Sequence, residues 1–332
     1  MIRAAGIDCG TNSVRLLIVE APEPDAVPDG PAEPGLGPVR EVTRLLRIPR
    51  LGEGVDATGE FSPAALARTF TVIEEYASLI RAAGVPADRI RMVATSAARD
   101  VGHRSVFVAG VRDRLGIPPT VVSGRREADL SFHGALAGLA ALGRRVAGPV
   151  LVTDVGGGSS ELVLGDSDGT VRQAVSLDLG CVRLRERILR GDPPTPDQIE
   201  EARQTVDDAL GGCGVDLASA RTWIGVAGTV TSLVAAQLDL PAYDRETLHG
   251  ATIGVAELEA EAERFVTAPV ARLRTIPSLH PKRAEVIGAG ALVLDRIARR
   301  LTVAELMVSE SDILDGVAAW ALRGDAGPLP SE

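Results

Sequence analysis

Lysine is almost missing from this 332-residue chain: Lys282 is the only one, and the other basic residues are arginine. No glycine loop precedes Lys282, which excludes the phosphate-binding lysine of a Walker A motif. Cysteine is equally sparse. Cys9, Cys181 and Cys213 are too few and too scattered for a disulfide framework or a zinc site, and they fit a reducing compartment. No uninterrupted apolar run approaches the length that spans a bilayer. The N-terminal twenty residues are apolar enough to resemble a signal peptide, but Asp8 and Arg15 interrupt them and no cleavage site follows. A cytoplasmic protein without a membrane partner is therefore expected. The net charge of −10 argues against nucleic acid as a partner, because affinity for phosphate chains of any sequence needs many positive contacts. It leaves room for a polyanion held in one locally basic groove.

What is present reads as two domains of ordinary size, with 45% hydrophobic and 24% charged residues. Residues 1–20 read as two strands around a polar turn, Asp8 to Ser13. A proline- and acid-rich stretch, residues 21–38, reads as a mobile hairpin loop. Then come a strand at 41–48, a helix opened by Ser62 and Pro63, a short strand at 91–94, a helix, a strand at 120–122 and a long helix from Glu127 to about Leu142. At Pro149 the pattern restarts with strand, glycine turn and strand, PVLVTDVGGGSSELVLGD, followed by a third strand at 171–177, helices over 181–211, and a strand at 222–226 running into a helix. The remainder reads as helical except for a strand at 303–308, and the final helix covers 311–322. Laying GIDCGTNSVRLLIVE on VTDVGGGSSELVLGD aligns Asp8 with Asp154, Gly10 with Gly156, Ser13 with Ser159 and Leu16 with Leu162. The shared positions are mainly turn residues, which points to duplication of a whole domain.

A tight strand-turn-strand with glycines and small hydroxyls aims several backbone N–H groups into one concavity, where phosphate oxygens are good acceptors. Gly10 and Gly156–Gly158 are expected to supply positive φ and leave room for phosphate, while Thr11, Asn12, Ser13, Ser159 and Ser160 add side-chain donors. Asp8 and Asp154 repel phosphate unless a partly hydrated Mg²⁺ lies between. The ordinary alternative for either aspartate is a turn residue that bonds its own backbone. The paired turns resemble those of the actin and sugar-kinase superfamily, in which two related domains clamp a polyphosphate.

Within that superfamily GIDCGTNSVRLLI, ATSAARD, SGRREADL, DVGGGSSEL, GVAGTVTSL and RAEVIGAGALVL are similar, in order, to the motifs of the exopolyphosphatase and guanosine pentaphosphate phosphohydrolase (Ppx/GppA) family. The resemblance implies an α/β fold: two duplicated actin-like, ribonuclease H-like domains with mixed sheets flanked by helices and a cleft between them. The expected domains are 1–122 and 123–310, with a helix at 311–325 packing back on the first. It further implies Glu127 as general base for water, Asp154 and Glu161 as a metal-associated pair, Asp8 with the first phosphate loop besides the metal role read from its turn, and Mg²⁺ or Mn²⁺ as cofactor. Gly10, Thr11, Asn12, Ser13 and Arg15 then make the first phosphate loop and Gly156, Gly157, Gly158, Ser159 and Ser160 the second, and Arg99 contacts the phosphate chain. Gly225, Gly228 and Thr229 match the superfamily's adenosine-side loop. Polyphosphate or guanosine pentaphosphate is the implied substrate, and a homodimer is a possible assembly. A kinase-like phosphotransferase and a non-catalytic polyphosphate or alarmone sensor are the alternatives. The chain departs from the family where Arg126-Glu127 replaces two adjacent glutamates and where VSESDILDG lacks an expected arginine. Its four histidines show no clustered His-Asp metal pattern, so the additional helical domain of longer members is not expected.

Overall fold

The computed structural model describes residues 1–23, 39–99 and 101–324. The loop read at residues 21–38 lies, from residue 24 onward, outside the described residues. The chain divides into two compact units, Met1–Ser123 with Ile313–Glu332, and Gly124–Asp312. In the first, β1 (Ile2–Cys9), β2 (Val14–Ala21) and β3 (Arg40–Arg47) precede α1 (Val55–Thr58) and α2 (Pro63–Ala82). Then follow β4 (Ile90–Ala94), α3 (Ser96–Arg99), α4 (Arg104–Leu115) and β5 (Thr120–Val121). The second unit starts with α5 (Gly124–Ala141), β6 (Val150–Val155), β7 (Ser160–Gly165), β8 (Val171–Leu177), α6 (Cys181–Arg187) and α7 (Pro196–Gly211). It continues through β9 (Thr222–Val226), α8 (Ala227–Gln237), α9 (Arg245–Leu248), β10 (Thr252–Gly254), α10 (Val255–Thr267), α11 (Val270–Leu273), α12 (Ile287–Ala298) and β11 (Glu305–Val308). The chain then returns to the first unit with α13 (Ile313–Arg323).

In the first unit the sheet order is β3-β2-β1-β4-β5, with β1, β2 and β3 antiparallel and β4 and β5 parallel to β1. Alternation along β1 serves two cores. Ala5, Ile7 and Cys9 pack with Ile73, Tyr76 and Ile80 of α2. On the opposite face Ala4, with Leu17, Val19 and Ala21 of β2, packs with Leu314, Ala318 and Ala321 of α13. Gly6 lies on that face because α13 presses on it: a Cβ there would stand 2.7 Å from the Ala318 nitrogen. Each large apolar side chain removed from water on these faces contributes roughly 1.5–3 kcal/mol. Ser62 caps α2, its Oγ accepting from Ala65 N at 3.1 Å, with Pro63 in the first turn.

The second sheet runs β10-β11-β9-β6-β7-β8. Without β10, the order β8-β7-β6-β9-β11 repeats β3-β2-β1-β4-β5, and the parallel and antiparallel pairings repeat with it. The duplication seen in the turns thus extends to the topology. One face, including Val150, Val152, Val163, Ile224 and Val226, packs against Ala128, Phe132, Ala135 and Leu139 of α5. The other, including Leu151, Val155, Leu162 and Leu164, packs beneath the apolar faces of α7, α8, α10 and α12. Two expectations change. Helix α5 begins at Gly124, three residues before Glu127, and 252–254, read as helical, is an edge strand antiparallel to β11. Three residues are too short to display an alternation. No described helix is long and apolar enough to cross a membrane.

Candidate active site

The two glycine turns close with the same hydrogen bond. Gly10 N donates to Ser13 O at 2.9 Å in the first unit, and Gly156 N donates to Ser159 O at 3.0 Å in the second. In each turn the carbonyls are tied to a later segment. Thr11 O and Asn12 O accept from Gly52 N at 2.8 Å and Arg50 N at 3.0 Å. Gly156 O accepts from Cys181 N at 2.9 Å, and Gly157 O from Val182 N at 2.9 Å and Arg183 N at 3.2 Å, so the turn caps the start of α6. In a planar trans peptide the following N–H points opposite to the carbonyl. Each turn therefore directs consecutive N–H groups, of Asn12 and Ser13 or of Gly157 and Gly158, away from the segment that holds it, as an anion concavity requires. Positive φ is not the reason for the glycines: neither Gly10 nor Gly156 has one. For Gly156 the reason is close approach, whereas a Cβ on Gly10 would make only an ordinary 3.5 Å contact with Ser13 O. A Cβ on Gly156 would lie 3.2 Å from Ser159 O, and a Cβ on Gly180, just before α6, 2.2 Å from Gly157 O.

The side chains of the turns have separate partners. Thr11 Oγ1 bonds Ser96 Oγ of α3 at 2.9 Å, Ser160 Oγ donates to Leu179 O, and the Oδ1 of Asn12 is buried with no hydrogen-bond partner. Since amide oxygen and nitrogen are assigned from their surroundings, Asn12 turned over would offer a donor at that spot.

The acids of the two turns stand in opposite electrostatic settings. In the first unit Asp8 faces Arg15 across β1 and β2, and Arg15 donates from Nε at 3.0 Å and Nη2 at 2.7 Å to Asp8 Oδ2. Asp8, expected as a metal ligand, and Arg15, expected on phosphate, are thus engaged with each other. In the second unit the residue across from Asp154 is Glu161, and across from Glu161 on β8 is Ser176. Direct cross-strand partners share a face, and this is the face of Val150, Val152 and Val163, beneath α5. Glu127, in the first turn of α5, lies near enough for its charge to act on Glu161. Glu127, Asp154 and Glu161 are all buried. Burial first, then the Glu127 and Asp154 carboxylates, push the Glu161 carboxyl well above its usual range, against the Ser176 and Ser159 hydroxyls that pull it down. Three acids held this closely out of water favour a proton or a cation among them. Among the described residues, no three Asp, Glu, His or Cys side chains converge into a set able to hold a metal ion by themselves.

This arrangement has relatives. The Ppx/GppA phosphatase family model matches residues 33–322. Exopolyphosphatase 2 of Mycobacterium tuberculosis is 44% identical over 96% of this chain and 98% of its own length. The chain belongs to the Ppx/GppA phosphatase family. A bifunctional 3-dehydroquinate synthase/phosphatase of Fusobacterium nucleatum is 30% identical over 94% of this chain and 45% of that protein. Among solved structures, an exopolyphosphatase-like protein superposes with a TM-score of 0.88 at 36% identity, covering 97% of this chain and 99% of its own. The Aquifex aeolicus member of the Ppx/GppA family gives a TM-score of 0.78 at 27% identity over 98% and 99% of the two chains.

In this Ppx/GppA chain the remaining expected site residues fall as follows. Arg99, at the end of α3, donates from Nη1 to Val122 O at 3.0 Å, in the same unit as the first turn. Gly225, Gly228 and Thr229 lie at the junction of β9 and α8. Thr229 Oγ1 donates to Val155 O at 2.7 Å, which ties this loop to the strand before the second glycine turn. Ala227 turns the corner at φ 62°, a left-handed conformation unusual for alanine. Arg283 donates from Nη1 to Gly228 O at 2.6 Å and to Ser232 Oγ at 3.0 Å, closing over the loop. Sequence reasoning missed Arg283, Ser131 and Ser176. Only the β7–β8 register could have exposed Ser176 as the partner of Glu161, Ser131 is marked only by lying four residues after Glu127 on one helix face, and no spacing marks Arg283.

Proposed function

We propose that this chain is a divalent-cation-dependent phosphohydrolase that releases terminal orthophosphate from inorganic polyphosphate, short chains above all, or from guanosine pentaphosphate. The observation that carries this reading is the buried carboxylate row Asp154–Glu161, with Glu127 over it, next to a glycine turn that directs its N–H groups outward. The family and the names of its relatives agree with it. The donor set fits Mg²⁺ or Mn²⁺. Two hard carboxylates on facing strands, without a complete protein cage, suit an ion that takes one or two carboxylates and completes its shell with water and substrate phosphate. Asp154 and Glu161 would hold it. When bound, it supplies positive charge against phosphoryl oxygens as negative charge moves onto the leaving oxygen.

The chain's own residues do the rest. The N–H groups of Gly157 and Gly158 hold the terminal phosphoryl oxygens. Glu127 takes the proton of a water whose oxygen attacks the terminal phosphorus, while the bridging P–O bond breaks and its electron pair leaves with the shortened chain. Arg126, next to Glu127, adds positive charge that favours phosphate. Replacing Glu127 by Gln removes the proton acceptor and keeps the shape. The Glu127→Gln protein should fold normally and bind pyrophosphate, while phosphate release from tripolyphosphate falls by about 10²–10⁴-fold. Turnover within a few-fold of wild type would refute the assignment. Phosphate release compared on short polyphosphate, long polyphosphate and guanosine pentaphosphate, with and without Mg²⁺, names the substrate. Faster transfer to a small acceptor from ATP would instead make the chain a kinase.

A further inference from the structure

We infer that Ser176 and Ser131 are positioning residues for the carboxylate row, each fixing one acid through its hydroxyl so that the acid's other lone pairs face the divalent cation. This rests on the cation-dependent reading above. Ser176 stands directly across from Glu161 on β8, and its Oγ donates to Glu161 Oε1 at 2.7 Å. A serine has one hydroxyl proton, and here it is spent on a carboxylate. Ser131 reaches the row from the other side. It is fully buried on α5, four residues after Glu127, and its Oγ lies 3.3 Å from Asp154 Oδ2.

The choice of partner is informative. A hydroxyl inside a helix ordinarily bonds the carbonyl four residues back, and in this protein Thr69, Thr71, Ser78, Thr205 and Thr267 do so. Ser131 instead turns toward Asp154. The same helix therefore carries the Glu127 carboxylate and a hydroxyl that holds the neighbouring acid, so the spacing between base and cation ligand is set by one rigid element. Hydrogen bonds to carboxylates that ligate a metal orient them, and their loss typically weakens metal binding 10–100-fold. The shorter Ser176 contact should matter more than the longer Ser131 one.

The test titrates Mn²⁺ alone into the full chain and follows free Mn²⁺ by electron paramagnetic resonance, for wild type, Ser176→Ala, Ser176→Thr, Ser131→Ala and Asp154→Asn. Each protein is first shown to keep the wild-type circular dichroism spectrum and to melt cooperatively well above the temperature of the titration. Ser176→Ala should weaken Mn²⁺ binding about 10–100-fold and Ser131→Ala less, with Ser176→Thr restoring most of it. At saturating Mn²⁺, kcat on short polyphosphate should change far less than the Mn²⁺ requirement does. Wild-type Mn²⁺ affinity in Ser176→Ala, alongside lost affinity in Asp154→Asn, overturns the positioning role and leaves the cation reading standing. Undiminished Mn²⁺ affinity in Asp154→Asn overturns both. A Ser176→Ala protein that fails to fold moves the decision to Ser131→Ala, where unchanged affinity counts against the inference.

Discussion

Glu161 makes the protein's stability depend on pH in a direction opposite to that of most acids. It is 1% exposed, with Asp154 across from it and Glu127 nearby, and its carboxyl titrates well above the ordinary 4.5. Between 4.5 and that raised value the native protein keeps a proton that the unfolded chain has already released. The stabilisation is therefore complete below the unfolded value and is lost as pH rises through the native one, at about 1.4 kcal/mol per pH unit within that window. Glutamine keeps an acceptor for Ser176 and cannot ionise. Glu161→Gln should remove this decline. The assay is urea unfolding of both proteins from pH 4 to pH 9 in chelator. The stability difference, variant minus wild type, should grow by about 1.4 kcal/mol per unit above pH 4.5 and then level off. Mg²⁺ added to the wild type should restore part of the lost stability at high pH, because a ligand that binds the native state stabilises it. Parallel curves, with a difference that does not change with pH, would refute the claim that burial and the neighbouring carboxylates hold the proton on Glu161.

Gly180→Ala places a Cβ 2.2 Å from the backbone oxygen of Gly157, which cannot swing aside as a side chain would. The second glycine turn should shift at a cost of about 1–3 kcal/mol, lowering the melting temperature, and steady-state kinetics below the melt should show a raised KM for polyphosphate; an unchanged KM would mean that α6 does not set the shape of the turn. Ala227→Gly relieves an alanine held at φ 62°. A gain of about 0.5–1 kcal/mol in urea unfolding is expected after the extra freedom of glycine in the unfolded chain is set against it, and a loss of stability would show that the corner is not strained.

The strands and long helices were legible because their signals are local. Strand β9 was read at its observed bounds, since Thr222–Val226 is an apolar run that ends in a glycine corner, and Ser62-Pro63 announced α2. The duplicated turns were legible because their residues repeat in register. What the sequence could not carry was the partner each turn acid meets. Asp8 and Asp154 look alike along the chain, and only the hairpin register puts an arginine opposite one and a glutamate opposite the other. The glycines of the turns are visible in the sequence but the reason for those of the second turn is not, because φ of Gly156 is ordinary and the crowding comes from Ser159 and from the backbone at Gly180. Ser176 was invisible for a similar cause: a serine in a strand carries no signal until β8 is laid beside β7. The sharing of one partner by Gly228 and Ser232 likewise waits on the distant Arg283.

Helix α13 is made after the whole second unit, yet it covers the first sheet. While the ribosome translates from Ala21 to Ile313, the apolar face of Ala4, Leu17, Val19 and Ala21 has no cover of its own. At roughly 5–20 residues per second that interval lasts about 15–60 s. The nascent first unit is thus an open sandwich until α13 is made. The second unit, continuous from Gly124 to Asp312, can mature on the ribosome and hand back the helix that completes its neighbour.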